Sequence, residues 1–288
     1  MTAKQPPAQK VVPIFSGGGT RLPAHIGILR AMEELELGFD HLVGVSGGSI
    51  VSSLHSAGYS LNHIKKLAFD TDFNQFRGFS LIRLLKDGGL SSGNEFEQWL
   101  DDRLEGRQFK DLGINFHVLA TDVNGGGPVV FNREHTPDMK VSQAVRFSMS
   151  IPLLFSFKSF QDHVMVDGAI LSEDALFRDW AGDQTPVLCF RLRSEQTVNR
   201  QFKKPLFPLR IYLNMLIRTF MNAISREYVH ADHWHNTIII NTGKASAVDF
   251  KMSLDQKEAL YQQGYKTAIE FIPRKIQLNQ YDNAEAGQ

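Results

Sequence analysis

Cysteine is almost missing: Cys189 stands alone among 288 residues. That excludes an intrachain disulfide and any cysteine-rich metal site, and it fits a reducing compartment. Net charge is missing too. The 31 Lys and Arg residues balance 31 Asp and Glu, and no long basic run occurs, so nothing points to a nucleic-acid polymer as partner. No apolar run approaches the roughly 18 residues of a membrane-spanning helix. The opening MTAKQPPAQK lacks the apolar stretch of a secretory signal. These absences predict a soluble, cytoplasmic protein. What is present is ordinary globular material, 42% hydrophobic and 22% charged. With no internal repeat and no linker-like stretch, one domain is expected over residues 10–275, with residues 1–9 and 282–288 as flexible tails.

Short β-like runs alternate with helical patterns, the signature of an α/β fold with a largely parallel sheet. The strand candidates are Val11–Phe15, His41–Ser46, Phe116–Val123, Pro186–Leu192 and Thr237–Asn241. Several are apolar throughout, as strands buried on both faces are. Pro23–Leu37 reads as a helix with Pro23 in its first turn and Gly38 just beyond its end. Ser92 with Glu95, and Ser253 with Gln256, have capping-box spacing before two further helices. Pro273 is expected to stop the last of them.

Two glycine-rich stretches follow the first two strands. Gly44-Val45-Ser46-Gly47-Gly48 fits G-x-S-x-G between a strand and a helix, the setting of a nucleophile elbow. Ser46 then sits at a helix N-terminus, where free N–H groups favour developing negative charge. By itself the same pattern also describes a plain Gly-Ser turn. The earlier stretch, SGGGTR, places Gly17, Gly18 and Gly19 at the mouth of a helix, where backbone N–H groups can turn inward as an oxyanion hole. The N–H of Gly47 is the further donor of an elbow. A phosphate-binding loop would need Gly-Lys-Ser/Thr where Thr20-Arg21-Leu22 stands, and a dinucleotide fingerprint would need glycine at Leu22. Far downstream, Asp167-Gly168-Ala169 ends an apolar strand and offers a carboxylate base, or equally an ordinary Asp-Gly turn.

The three elements in this order resemble the patatin-like phospholipase family. The stretches RAMEELEL, GGLSSG, LATDVNGG and SMSIPLLF also sit where that family has similar ones, so the likeness runs from about Val11 to Leu171. The resemblance implies a three-layer α/β/α fold and acyl ester hydrolysis on membrane phospholipids, with no cofactor and no metal. It implies a dyad of Ser46 as nucleophile and Asp167 as base, with Gly17 to Gly19 as the oxyanion loop. Arg21 matches an arginine of that loop, as a brace or as a contact to lipid phosphate. Leu22 departs from the family pattern, which has glycine there. Some bacterial members with a short catalytic chain act in antiviral defence and are switched on by cyclic nucleotides. A cyclic oligonucleotide activator and peripheral action at the inner membrane are therefore carried as expectations.

Other residues leave alternatives open. A triad would need a late histidine, for which His230, His233 and His235 are the candidates; their spacing also raises a metal site, though structural roles are expected. His25 and His55 are expected to pack on helices. Leu209–Ile224 carries a narrow polar strip on an otherwise apolar helix, which suits an interfacial, core or homo-oligomer contact. The phenylalanines of Phe73–Leu85 could line an acyl pocket or form a lid, though plain packing is the favoured reading. An acyltransferase would use the same covalent intermediate, but Val45 stands where a transacylase has histidine. A non-catalytic lipid-binding module is opposed by the intact Ser46 and Asp167.

Overall fold

The computed structural model describes residues 9–195, 208–224 and 233–286. Ten strands form among them: β1 (Val12–Ser16), β2 (His41–Val45), β3 (Gly89–Ser91), β4 (Asn115–Asp122), β5 (Gly127–Phe131), β6 (Leu153–Phe155), β7 (Lys158–Phe160), β8 (His163–Val166), β9 (Val187–Arg193) and β10 (Thr237–Asn241). The helices are α1 (Leu22–Glu34), α2 (Gly47–Ser56), α3 (Leu61–Asp70), α4 (Leu81–Asp87), α5 (Asn94–Leu104), α6 (Val141–Ser148), α7 (Glu173–Leu176), α8 (Pro208–Ile224) and α9 (Leu254–Ala286).

The main sheet runs β10-β9-β1-β2-β4-β8-β7, with β5 paired to β4. Its central part, β10 to β4, is parallel, and the β5, β7 and β8 pairings are antiparallel. A separate pair, β3 with β6, carries the GGLSSG turn against the SMSIPLLF segment. Side chains alternate along β1. Val12 and Ile14 join a core on one face with Val43, Val45, Leu176 and Trp180. Phe15 faces the larger core on the other, with α1, α2, α5, α6 and α9. Helices on both faces of a mainly parallel sheet make the three-layer α/β/α architecture. In such sheets the carboxyl ends of the strands deliver loops to a common edge.

The helix boundaries show where local signals yield to packing. Ser253 and Gln256 do form the reciprocal box: the Gln256 N–H donates to Ser253 Oγ at 3.2 Å and the Ser253 N–H to Gln256 Oε1 at 2.8 Å. Ser92 does not cap α5. Gly93 takes the N-cap position with φ +69°, and Ser92 Oγ accepts the Asn94 N–H instead. Pro273 does not end α9, which continues to Ala286. The proline forfeits one backbone bond, but Ile272 and Ile276 are buried on either side of it, and Lys275 Nζ donates to the Trp234 carbonyl at 2.6 Å. Tertiary contact outweighs the lost bond. Helix α9 lies close on α1, where a Cβ at Gly27 would come 2.1 Å from the Tyr261 carbonyl oxygen.

Candidate active site

Strand β2 ends at Val45 and α2 begins at Gly47, so Ser46 alone makes the turn. It does so at φ +52°, ψ −129°, a conformation that side chains rarely adopt. The surroundings hold it there. The Ser46 N–H donates to Ser148 Oγ at 2.8 Å, and its carbonyl accepts the Ser49 hydroxyl at 2.6 Å. Glycine is required next door, because a Cβ at Gly47 would lie 2.3 Å from the Gly19 carbonyl oxygen. The serine hydroxyl is thereby aimed away from both strand and helix, and it donates to Asp167 Oδ2 at 2.7 Å.

Asp167 arrives from the end of β8, 121 residues downstream. Its Oδ1 accepts the Ala169 N–H at 2.9 Å, and its own N–H donates to the Ser150 carbonyl at 3.0 Å. Both anchor points fix the carboxylate before any substrate arrives. The group is wholly buried, and that burial pushes its pKa up to about 6, against the smaller opposing pull of the Ser46 and Ala169 hydrogen bonds. A carboxylate tuned this way is a better proton acceptor than an exposed one and is still ionised at neutral pH.

The glycine loop closes the other side. Gly17, Gly18 and Gly19 all take positive φ, +68°, +108° and +54°. One expectation is corrected here. The Gly17 N–H donates to the Val45 carbonyl at 3.1 Å, continuing the β1–β2 ladder, and so is withdrawn from the oxyanion donors. Gly18, Gly19 and Gly47 remain as candidate donors. The Gly17 carbonyl is held by the Gly48 N–H at 3.0 Å and by His25 Nε2–H at 3.0 Å. Burial lowers the His25 pKa to about 4, so the ring is neutral and its Nε2 proton is available for that bond. His25 thus supports the loop as well as packing in α1.

Arg21 is a brace. Its guanidinium is fully buried, with Nε donating to the Gly18 carbonyl at 3.0 Å, Nη1 to Thr242 Oγ1 at 2.9 Å and Nη2 to the Leu192 carbonyl at 3.3 Å. Such a group cannot reach a lipid phosphate without leaving its socket. Desolvation lowers its pKa to about 10, which leaves it protonated at neutral pH.

An apolar cleft, about 440 Å³ with the solvent-open space at its mouth included, opens from Ser46. Phe73, Phe76, Phe96, Met149, Phe155 and Phe250 are among its walls; of the three phenylalanines in Phe73–Leu85, Phe73 and Phe76 line the cavity, while Phe79 is exposed. Phe250 and Ala247 come from the loop after β10, beyond the reach of any local motif. Ser148 and Arg146 were likewise not singled out from the sequence. Arg146, fully buried, ties Ser150 Oγ to the Ser92 and Ser156 carbonyls and so steadies the segment that holds Asp167.

The late histidines sit elsewhere. His233 stacks on Phe177 with ring centroids 3.9 Å apart. His233 and His235 precede β10, whose parallel pairing places its beginning at the edge of the sheet opposite Ser46. No group of His, Cys, Asp or Glu among the described residues could hold a metal ion. His230 lies outside the described residues. His55 packs against Phe39.

Comparison with known proteins adds four findings. The family model described as patatin-like phospholipase matches residues 14–176, more than half of the chain. The uncharacterized protein YqhO of Bacillus subtilis is 24% identical over 283 residues, covering 90% of this chain and 97% of its own. The neuropathy target esterase sws of Drosophila sechellia is 28% identical over 165 residues, 55% of this chain but 11% of that much longer one. Among solved structures, VipD from Legionella pneumophila superposes with a TM-score of 0.64 at 16% identity, over 93% of this chain and 67% of that one. At that identity the likeness speaks for the fold alone.

Proposed function

The chain belongs to the patatin-like phospholipase family, and from that premise we propose that it hydrolyses acyl esters of membrane phospholipids through a Ser46–Asp167 dyad. The observation that carries the reading is the 2.7 Å hydrogen bond from Ser46 to a buried carboxylate, at the mouth of an apolar cavity. The cavity takes the scissile acyl chain and presents its ester carbonyl to Ser46 Oγ. As Oγ attacks, its proton passes to Asp167 Oδ2 and the carbonyl oxygen becomes an oxyanion. The N–H groups of Gly18, Gly19 and Gly47 stabilise that charge; one such donor contributes about 3 kcal/mol in comparable sites. Asp167 returns the proton to the departing alcohol oxygen, leaving an acyl ester on Ser46. Water then attacks with Asp167 again as base, and fatty acid is released.

The protein must meet its substrate at a lipid surface. No helix among the described residues is long and apolar enough to cross a membrane. Helix α4 has no buried residue, and Ile82 and Leu85 are 74% and 87% exposed. On α8, Leu213, Ile217 and Met221 are buried, while Leu209, Ile211, Tyr212, Met215 and Leu216 are exposed. Of the sixteen exposed large apolar residues among the described ones, ten belong to α8, α4, nearby Phe79 and Phe157. We assign this concentration to peripheral contact with a bilayer.

Phospholipid hydrolysis followed by fatty-acid release tests the activity, and its loss in Ser46→Ala tests the nucleophile. Activation by a cyclic di- or trinucleotide rests on the family resemblance alone. Titration calorimetry against a panel of them tests it, and no binding by any would overturn it.

A further inference from the structure

Beside the acyl cavity lies a second hollow, about 650 Å³ with its solvent-open space included, with a different chemistry. One stripe of α8 forms its wall: Ile211, Asn214, Met215 and Arg218, at spacings of three, four and seven that place them on one helical face. The facing wall is Leu154, Val248 and Arg77. Arg77 Nη2 donates to Asn214 Oδ1 at 2.6 Å, which holds its guanidinium against α8 one turn from Arg218. The result is an apolar trough carrying two arginines from separate elements.

Phe250 joins this groove to the catalytic cavity, because its ring lines both. The Arg77 guanidinium carbon lies 5.9 Å from the centre of that ring. A ligand in the cavity and one in the groove would therefore both touch Phe250. One molecule with an acyl ester on one side and an anion on the other can occupy both.

We infer that the groove binds the phosphodiester of the glycerophospholipid whose acyl ester is attacked at Ser46, with Arg218 and Arg77 as its cationic contacts. The inference rests on the proposed ester hydrolysis and deepens it by naming which esters are preferred. Guanidinium forks suit phosphate oxygens, and the ligand here is a phosphate oxyanion. The source is the lipid headgroup: the apolar wall of Ile211, Met215, Leu154 and Val248 offers a free phosphate nothing, but covers the glycerol and the second chain of a lipid.

The test compares two esters with the same acyl chain, a short-chain diacyl phosphatidylglycerol and the matching uncharged diacylglycerol, with wild type, Arg218→Gln and Arg77→Gln. Each variant is expected to lower the ratio of kcat/KM for phospholipid over neutral ester about tenfold, through KM, since charge-assisted hydrogen bonds carry that much. Arg218 is exposed, so its variant keeps the measurement informative if Arg77→Gln fails to fold. An unchanged ratio in Arg218→Gln overturns the inference. A parallel calorimetric titration of Ser46→Ala uses dodecylphosphocholine, dodecyl glucoside and inorganic phosphate, the detergents below their micellar concentrations. Tighter binding of the phosphodiester than of the glucoside, lost in Ser46→Ala/Arg218→Gln, is expected. Saturable binding of inorganic phosphate with no preference between the detergents would assign the groove to free phosphate instead. If wild type cleaves neither ester, the hydrolase reading fails on its own, and the titration still decides the groove.

Discussion

Arg21 Nε donates to the Gly18 carbonyl at 3.0 Å from a guanidinium with no exposed surface. The contact joins a buried cation to the loop whose N–H groups must face a developing oxyanion. Since Thr242 Oγ1 and the Leu192 carbonyl take its other two bonds, the loop is tied across to the ends of β9 and β10. Arg21→Met removes all three side-chain bonds; the Gly18 carbonyl keeps the Arg21 backbone N–H, but the guanidinium's ties to Thr242 and Leu192 are lost. Stability is expected to fall by about 3 kcal/mol in a denaturant titration, and kcat to fall more than KM changes. Wild-type kcat in a folded Arg21→Met protein would deny the brace its role in catalysis.

Asp167 carries a pH signature. Burial raises its pKa from 3.8 to about 6, so kcat/KM on a neutral ester should climb tenfold per pH unit below about 6 and level off above it. The sign for stability is opposite to that of a salt-bridged carboxylate. Between about pH 4 and 6 the folded protein holds this proton and the unfolded chain has released it. The group's contribution therefore declines as pH rises through that window and stays unfavourable above it. Asp167→Asn is expected to be more stable than wild type at pH 7.5 by about 1–3 kcal/mol, with the difference gone at pH 4. Thermal melts at the two pH values check it.

Gly47→Ala places a Cβ 2.3 Å from the Gly19 carbonyl oxygen. Both residues belong to the proposed oxyanion wall, and backbone cannot yield as a flexible side chain can. The variant should lose about 1–3 kcal/mol of stability from overpacking and at least a hundredfold in kcat. Circular dichroism and steady-state kinetics read the two effects separately. A folded variant with wild-type kcat would show that the Gly19–Gly47 contact does not shape the site.

The exposed apolar surface of α4 makes a prediction about interfaces. The double variant Ile82→Ser, Leu85→Ser should bind phospholipid vesicles at least fivefold more weakly in a flotation assay. Its rate on vesicles should fall by more than its rate on a monomeric ester of the same acyl chain. Equal vesicle binding by wild type and variant would remove α4 from the docking surface.

How much of this was legible beforehand follows from distance along the chain. The alternation of apolar strands and capped helices announced the parallel sheet, and β2, Ser46 and α2 are contiguous, so the elbow could be read from six residues. Asp167 was only a candidate on its turn motif, which equally describes an ordinary Asp-Gly turn, and the family resemblance singled it out. β8 showed only as the apolar run before Asp167, β7 carries too few residues for a period to show, and β3 with β6 pairs segments some sixty residues apart. The supports of the site were hidden for the same reason. Ser148, Thr242, Ala247 and Phe250 reach Ser46 and the glycine loop only after folding. The Gly17 N–H looked free in a glycine run, and only the register of β1 on β2 shows it bound to Val45. Pro273 illustrates the converse, a strong local stop signal overruled by burial on both sides.

The central claim is that Ser46 and Asp167 act as a pair, and one assay reaches it directly: fatty-acid release from phospholipid by wild type, Ser46→Ala and Asp167→Asn, at pH 7.5 with folding verified by thermal melts. The account predicts steady release by wild type, none above background with Ser46→Ala, and a loss of at least a thousandfold with Asp167→Asn. Release at the wild-type rate by either folded variant would contradict it.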